Sequence, residues 1–363
     1  MSPSEFVYNG RGTRVVFGCG SRGHIERELH TLQVHRALVL CSQEQRALGV
    51  SVADQLGARA AGVFDQAAMH VPVELVTEVR TFAASLEADC LIAVGGGSAI
   101  GLAKGLALET GLPILAVPTT YAGSEMTPIF GLTESGLKRT GTDLRVLPKT
   151  VVYDPDLTLT LPVSMSVTSG INAIAHAAEG LYSRDANPLT SLMAEEGIAA
   201  LARSLPKIVA QPNDPSARAD ALYGAWLCAV CLGAVGVALH HKLCHTLGGL
   251  FNLPHAETHA VILPHALAYN APAVPDAMAA MAKALGVSDP TRGLYDLERR
   301  LGAPQSLREI GMPEDGIDRA ADLAVSNPYW NPREVERDAV RELIARAWRG
   351  EPPRTAVAVA ESA

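Results

Sequence analysis

Residues 91–98 read Leu-Ile-Ala-Val-Gly-Gly-Gly-Ser, a short apolar run that ends in a glycine-rich turn. The apolar run predicts a buried β-strand, and the residues after the turn predict a helix that runs through Lys104. Glycine lets the backbone approach a phosphate closely, and a helix N-terminus supplies N–H donors with a favourable dipole. This stretch therefore predicts a strand–turn–helix unit of an α/β domain, with a turn that suits a nucleotide.

Apolar runs of the same kind recur in the first 150 residues, at 14–18, 37–41, 62–64 and 114–117. Segments with helical periodicity separate them, for example 44–56 and 73–86. Alternation of strands and helices is typical of a parallel sheet covered by helices on both faces. We therefore predict a Rossmann-like α/β N-terminal domain, built on a doubly wound, mostly parallel sheet.

The pattern changes near residues 155–162, where strand-like runs stop and long Ala- and Leu-rich helical stretches begin. The predicted organisation is a dinucleotide-binding α/β domain at 1–157, an all-helical substrate and catalytic domain at 158–351, and a loose C-terminal tail at 352–363. The nearly uncharged run 221–239 is predicted to form one fully buried central helix rather than a membrane span.

The composition bounds the partners and the compartment. A hydrophobic content of 48% and a charged content of 19% predict a large buried core. The net charge of −8, without any Lys/Arg-rich run, argues against nucleic acid as a partner. The N-terminus lacks the basic and apolar regions of a secretory signal, and the six cysteines are expected to be buried thiols. We therefore expect a cytoplasmic protein with a small-molecule substrate and no membrane partner.

A second polar loop supports the nucleotide site. Residues 118–125, Pro-Thr-Thr-Tyr-Ala-Gly-Ser-Glu, follow the next predicted strand, and loops at adjacent strand ends form the crevice where open α/β sheets bind ligands. Ser42 stands where an Asp commonly grips the adenosine ribose, so we expect both NADH and NADPH to be accepted. Lys138 could form an ion pair with a cofactor phosphate, or it could belong to a solvated turn together with Arg139. The predicted cofactor-binding residues are Ser42, Gly95, Gly96, Gly97, Ser98, Thr119, Thr120, Ser124 and Lys138.

Histidines are concentrated in the second half of the chain. Residues 239–259 contain five of them, and His176 lies four residues after Asn172. Spacings of four place side chains on one helix face, so these residues can share a metal pocket or a proton-transfer pocket. Asn172 occupies the place where a metal site would want a carboxylate, and a neutral amide is a poor ligand for a divalent cation.

Several motifs together resemble the iron-containing (group III) alcohol dehydrogenase superfamily: GGGS at 95–98, PTT and GSE within 118–125, and the spaced histidines that end in Leu263-Pro264-His265. Longer stretches are similar to the maleylacetate reductase family, namely MHVPV at 69–73, PTTYAGSEMT at 118–127, SGINAIAHAAEGLY at 169–182 and HHKLCHTLGG at 240–249. The resemblance covers nearly the whole chain and implies a homodimer that reduces maleylacetate, or chlorinated analogues of it, in the degradation of aromatic compounds.

The resemblance also implies where a metal would bind. In the metal-dependent relatives one Asp and three His hold the ion, and the matching positions here are Asn172, His176, His241 and His255. The carboxylate is therefore lost, and we expect no tightly bound metal. The GGGSxxD pattern of the superfamily is broken as well, with Gly101 in the place of the Asp.

The chemistry of this substrate class fits a metal-free pocket. Hydride must reach the carbon β to the ketone and a proton the α carbon, and the intermediate enolate can be stabilised by a neutral donor or an imidazolium. We expect His241 and His255 to be the donors, although each alone could equally be a hydrogen-bonded structural residue. His259 and His265 are expected to be structural. The predicted catalytic residues are His241, His255, His176, His245, Asn172 and Lys242, with Lys242 as a candidate partner of a carboxylate or phosphate.

Two alternatives remain open from the sequence. One is a metal-dependent alcohol or polyol dehydrogenase of the same fold, which bound metal and loss of activity on chelation would favour. The other is a non-catalytic nucleotide-binding regulator. Retention of both cofactor loops together with the polar pocket argues against it, because a regulator would tolerate decay of one of them.

Overall fold

The computed structural model of the protein describes residues 6, 8, 10, 12–134 and 137–354, with the side chains of 137 and 138 excluded. The described residues form two compact units, 10–161 and 162–354, and residues 6 and 8 group with the second. The boundary thus lies four residues after the predicted one, because Leu161 still belongs to the first unit. Most of the predicted tail, 355–363, lies outside the described residues.

The first unit is the predicted α/β domain. Its strands are β1 (Arg14–Phe17), β2 (Ala37–Leu40), β3 (Ala60–Phe64), β4 (Cys90–Gly95), β5 (Ile114–Pro118), β6 (Ile129–Glu134), β7 (Leu137–Thr142) and β8 (Thr150–Tyr153). Its α-helices are α1 (Ile25–Thr31), α2 (Arg46–Leu56), α3 (Val73–Ser85) and α4 (Gly97–Thr110). Six strands form one parallel sheet in the order β1-β8-β5-β4-β2-β3, which confirms the predicted fold class.

Both faces of this sheet are buried, as the continuous apolar runs predict. Leu38 and Leu91 belong to one apolar cluster, whereas their neighbours Val39 and Ile92 belong to another. Successive side chains of a strand point to opposite faces, so the two clusters lie on the two sides of the sheet. Two features were not predicted, the strand β8 and the antiparallel hairpin of β6 and β7.

The described residues of the second unit form helices and their connections, without any β-strand. Its α-helices are α5 (Val163–Tyr182), α6 (Pro188–Ala210), α7 (Pro215–Ala234), α8 (Leu239–Phe251), α9 (His255–Asn270), α10 (Pro275–Leu285), α11 (Pro290–Leu301), α12 (Gly316–Ser326) and α13 (Arg337–Arg349). Within the described part of the chain, no single helix is long and apolar enough to span a membrane.

The prediction of one continuous helix over 221–239 is wrong. Helix α7 ends at Ala234, and α8 begins at Leu239 with a bend of 94° between them. Carboxylates accept hydrogen bonds from the backbone N–H groups at the break: Asp185 accepts from Gly236, and Glu179 accepts from Ala238. The expectation of six buried thiols is also wrong in one case, because Cys19 is exposed in the loop after β1.

Candidate functional site

The topology of the sheet places a crevice between β2 and β4. From β2 the chain moves outward to β3, and it then returns to the other side of β2 to form β4 and β5. The direction of the connections therefore reverses between β2 and β4, and open α/β sheets bind ligands beyond the carboxyl ends of the strands at such a point. The residues that follow these two strands are Cys41 and Ser42 on one side and Gly96 and Gly97 on the other.

The glycine-rich turn leaves room for a ligand at the start of α4. Gly95 has φ +141°, a conformation that side chains rarely adopt, and a Cβ at Gly97 would meet no atom within 4 Å. A Cβ at Gly96 would lie 2.9 Å from Thr120, so the neighbouring loop already packs against the turn. Helix α4 has no side-chain cap and no acidic residue in its first turn, which leaves its N–H groups for an anion.

The second predicted loop lies beside the first. Gly95 pairs with Pro118 in the sheet, and the Thr119 amide donates to the Gly95 carbonyl oxygen at 3.2 Å. The Thr119 hydroxyl is buried without a hydrogen-bond partner among the described residues. A buried hydroxyl of this kind costs free energy unless a ligand or water pairs with it, and the loops therefore suit the pyrophosphate of a dinucleotide.

The departure from the GGGSxxD pattern has a packing reason. A Cβ at Gly101 would lie 2.8 Å from a methyl group of Val71. Val71 and its neighbour His70 both have positive φ values, 38° and 63°, in the loop before α3. An Asp at position 101 would force this loop to move, so the motif and the conformation of the loop depend on each other.

Lys104 anchors the second loop from below. The residue is 1% exposed, and its ammonium group donates to the Ser124 carbonyl at 2.6 Å, the Thr127 hydroxyl at 3.0 Å and the Ile129 carbonyl at 2.7 Å. Burial lowers the pKa of Lys104 to about 7, and the nearby Glu125 acts in the opposite direction. Three acceptors match the three N–H donors of an ammonium group, so the residue is a positioning residue for the loop.

We expect Lys104→Met to reduce the free energy of unfolding by about 2–4 kcal/mol, because it removes the three hydrogen bonds that the buried Lys104 donates. The measurement is urea denaturation of the purified variant. Lys207, exposed on α6, provides the matched control as Lys207→Met. A loss no larger than that of the control would show that the loop does not depend on Lys104.

Ser42 lies at the carboxyl end of β2, as the sequence predicts, but it is not isolated. A hydrogen bond from the Ser42 hydroxyl lowers the pKa of Glu44, so a carboxylate stands beside it. The sequence reasoning gave Glu44 no role. Lys138 lies in β7, and its side chain is outside the described part of the structure.

In the helical unit, α5 presents three polar side chains on one face. Asn172, His176 and Glu179 are spaced by four and three residues, and all three are almost completely buried. The Asn172 Oδ1 and His176 Nδ1 atoms have no hydrogen-bond partner among the described residues. Such atoms inside a core indicate a place where a ligand or water pairs with them.

Glu179 joins this face to the start of α8. Its carboxylate accepts from the backbone N–H of Ala238 at 2.7 Å and of His240 at 2.8 Å, and Oε2 lies 2.7 Å from His241 Nδ1. The two backbone donors and the helix N-terminus compensate a negative charge on Glu179. A carboxylate offers only lone pairs, so Nδ1 of His241 carries the proton of this hydrogen bond, and Nε2 has no partner among the described residues.

Three further rings pack around His241. The ring of His176 is stacked on it with centroids 5.2 Å apart, and those of His240 and His259 lie 5.2 and 4.9 Å away. His240 Nε2 and His259 Nδ1 share a hydrogen bond of 2.9 Å. Burial holds the pKa values of His176, His240 and His259 well below the ordinary range, and neighbouring histidines add to the effect. The pocket around His241 therefore consists of neutral imidazoles.

The remaining predicted residues occupy the rim of the cluster. His255 is exposed at the start of α9, with its ring 4.4 Å from that of His259. His245 Nδ1 lies 3.0 Å from the Tyr329 hydroxyl, and the Lys242 ammonium lies 5.6 Å from the centre of the Tyr329 ring. Partial burial lowers the pKa of Lys242.

The two histidines that were expected to be structural, His259 and His265, lie in different surroundings. His259, expected to be structural, lies among the cluster rings rather than apart from them. His265 is a buried residue farther along α9, and burial lowers its pKa to about 4. Glu179 and Tyr329 received no role from the sequence, although the position of Glu179 seven residues after Asn172 on one helix was a readable signal.

Known protein families match both halves of the chain. The profile of the iron-containing alcohol dehydrogenase family matches residues 12–155, and that of its C-terminal domain matches residues 166–348. A maleylacetate reductase from Burkholderia cepacia is 60% identical over 350 residues, which cover 96% of this chain and 99% of the relative. One from Sphingobium indicum is 58% identical over 97% of this chain and 100% of the relative.

A solved structure agrees with these relatives. The crystal structure of a maleylacetate reductase from Agrobacterium tumefaciens superposes with a TM-score of 0.93 at 50% identity. The alignment covers 96% of this chain and 100% of that one. The chain belongs to the iron-containing alcohol dehydrogenase superfamily and, within it, to the maleylacetate reductase family.

Proposed function

We propose that this chain reduces the conjugated C=C bond of maleylacetate to give 3-oxoadipate, with NADH or NADPH as the reductant, in the degradation of aromatic compounds. The observation that carries the proposal is His241, whose Nδ1 is bonded to the buried Glu179 and whose Nε2 is left without a partner among the described residues. The close similarity to maleylacetate reductases supports the choice of substrate.

The reaction needs a hydride and a proton at neighbouring carbons. When bound, the reduced nicotinamide supplies the hydride to the carbon β to the ketone. Charge then develops on the ketone oxygen as an enolate, and the α carbon must take a proton. Neutral N–H groups of the histidine cluster are suited to stabilise that oxygen inside a buried pocket, where a hydrogen bond to a charged group is strong.

His241 is the group best placed to hold the proton. A proton taken up at Nε2 converts the ring to an imidazolium, and the Glu179 carboxylate, 2.7 Å from Nδ1, balances the new charge. The same Nε2–H can then be delivered to the α carbon, which returns the ring to its neutral state. His176 and His240, kept neutral by burial, add no competing positive charge next to this ring.

We propose that Lys242 forms an ion pair with a carboxylate of the substrate. Its ammonium group borders Tyr329, and Tyr329 also lines a cavity of about 250 Å³ in the helical unit. Arg184 lies in the wall of the same cavity. A dicarboxylate carries two negative charges, and cations at a partly desolvated rim are the expected partners for them.

The residues at the expected metal position do not form a preformed site. In the described parts of the chain, the one trio of His, Cys, Asp or Glu residues whose ligand atoms lie within 4.8 Å of one another is His240, Cys244 and His259. That trio contains none of His176, His241 and His255. His240 and His259 already bond to each other at 2.9 Å, shorter than the roughly 3.3 Å between two ligands on a tetrahedral zinc ion.

The charge of the donor set argues in the same direction. Asn172 is neutral, and the one carboxylate of this face, Glu179, is engaged by two backbone N–H groups and by His241. An ion held by His176, His241 and His255 would thus meet three neutral ligands and no charge to offset its own. We propose that the enzyme works without a tightly bound metal, in contrast to the iron-containing relatives for which the superfamily is named.

The test of the function is oxidation of NADH and of NADPH with maleylacetate as the substrate, run with and without EDTA. We expect turnover with both cofactors in both conditions, because Ser42 does not repel a 2′-phosphate as an Asp would. A preference for NADH beyond about a thousandfold, on the order of 4 kcal/mol, would contradict the cofactor prediction. Absence of turnover, or turnover only with alcohols and added metal, would contradict the function. The cytoplasmic location and the homodimer stay predictions.

A further inference from the structure

Charged side chains surround the outer edge of the cofactor crevice, at the carboxyl ends of β2 and β3. The two ends are tied together, because the Cys41 amide donates to Phe64 and the Ala67 amide donates to Cys41. In dinucleotide-binding sheets, the strand next to the glycine-rich turn ends at the adenosine ribose. Here that strand is β2, so the residues just after β2 and β3 are those that meet the 2′ position.

Arg46 is the cation at this edge. It is the first residue of α2, and its Nε donates to Asp65 Oδ2 at 2.7 Å. Asp65 directly follows β3, and the Arg46 side chain is 62% exposed while that of Asp65 is 24% exposed. Among the described residues, the guanidinium group makes no other hydrogen bond, which leaves both terminal NH₂ groups of Arg46 for a ligand.

Glu44 supplies an acceptor at the same edge, because it is exposed in the short 3-10 turn Gln43–Gln45 that follows Ser42 and precedes α2. The hydrogen bond from the Ser42 hydroxyl lowers its pKa and keeps the carboxylate ionised. An ionised carboxylate beside the adenosine ribose accepts a hydrogen bond from a free 2′-hydroxyl and repels a 2′-phosphate. Glu44 thus stands two residues after the position at which an acidic ribose anchor is usually sought.

We propose that Arg46, held in place by Asp65, binds the 2′-phosphate of NADPH, and that Glu44 binds the 2′-hydroxyl of NADH. The inference rests on the nicotinamide cofactor of the proposed function. It adds two opposite charges to the neutral Ser42 as the reason why either cofactor is used. A planar guanidinium with two free NH₂ groups matches the oxygens of a phosphate, and a carboxylate matches a single hydroxyl donor.

The experiment measures dissociation constants of NADH and NADPH by nucleotide fluorescence, without any second substrate. Arg46→Gln is expected to shift the ratio of affinities toward NADH by about tenfold, the scale of a lost hydrogen bond between charged groups. Glu44→Gln is expected to shift the ratio toward NADPH by about threefold or more, since it removes a repulsive charge. The two variants must therefore move the ratio in opposite directions.

The matched control is Arg80→Gln, which removes a guanidinium of the same unit that is paired with Glu109 near the far end of α4. We expect it to leave the ratio unchanged. An unchanged ratio in Arg46→Gln, or a shift of the same size in the control, would overturn the inference while leaving the proposed function standing. Failure of the unmodified protein to bind either nucleotide would overturn both.

Discussion

Replacing His241 by Ala is expected to lower kcat with maleylacetate by about a hundredfold or more, the scale of a positioned proton donor. The binding of NADH should change little, because the residues at the crevice of the first unit are untouched. His255→Ala is expected to act in the same direction, since we propose His255, whose ring lies 4.4 Å from that of His259, as a second donor to the enone. The measurements are steady-state kinetics and a fluorescence titration with NADH on each variant.

A substitution of Glu179 tests the role of His241 in a second, independent way. Glu179→Gln keeps the size of the side chain but removes the charge that balances an imidazolium at His241, so kcat should fall by about tenfold or more. His30, exposed at the end of α1, gives the control variant His30→Ala. Near-normal kcat in both His241→Ala and His255→Ala would show that the proton comes from elsewhere in the pocket.

Local sequence signals predicted the parts of the structure that depend on neighbouring residues. The turn at Gly95 and the loop at Thr119 follow buried strands, and the parallel pairing of β4 and β5 brings them together without any further information. The spacing of Asn172 and His176 on one helix likewise predicted their common face. These inferences needed only strand order and helical periodicity.

Contacts between distant segments were not predictable in this way. The break between α7 and α8 depends on Glu179, 59 residues before Ala238, whose N–H it accepts. Val235, Gly236 and Val237 at the break are weak helix formers, but they carry no sign of the distant carboxylate that accepts the N–H group there. The partnership of His245 with Tyr329 spans 84 residues and left no pattern in the sequence. The hairpin of β6 and β7 was missed because the alternation of its residues is weak.

The charged residues at the cofactor crevice were predictable only in part, since their positions follow from local sequence but their ion pairs do not. Ser42 was found from its place after β2, but its interpretation as a neutral group overlooked Glu44 two residues later. The sequence indicated only a helix residue at Arg46, since its ion pair with Asp65 crosses 19 residues and joins the start of α2 to the end of β3. The sequence therefore predicted where this edge of the crevice lies, whereas the charges that meet there became visible only in the structure.

The largest effect on metal content is expected from Asn172→Asp. The substitution restores a carboxylate on the face of α5 next to His176, and it gives an incoming Fe²⁺ or Zn²⁺ ion the charged ligand that the unmodified donor set lacks. Metal occupancy, measured by elemental analysis of the purified protein, should rise from a trace toward one ion per chain. Asn213→Asp, at an exposed position, adds the same charge outside the pocket and is expected to bind no additional metal.

The same variant should be a poorer maleylacetate reductase. A bound ion would occupy the lone pair of His241 Nε2, the atom that otherwise takes up and delivers the proton, so we expect kcat to fall by about tenfold or more. Removal of the ion with a chelator should recover part of this loss, because the histidines become free again. The unmodified enzyme should keep its activity through exhaustive chelation. Complete inactivation of the unmodified enzyme by EDTA, with recovery on addition of Fe²⁺ or Zn²⁺, would mean that three histidines and Asn172 suffice to hold a catalytic ion.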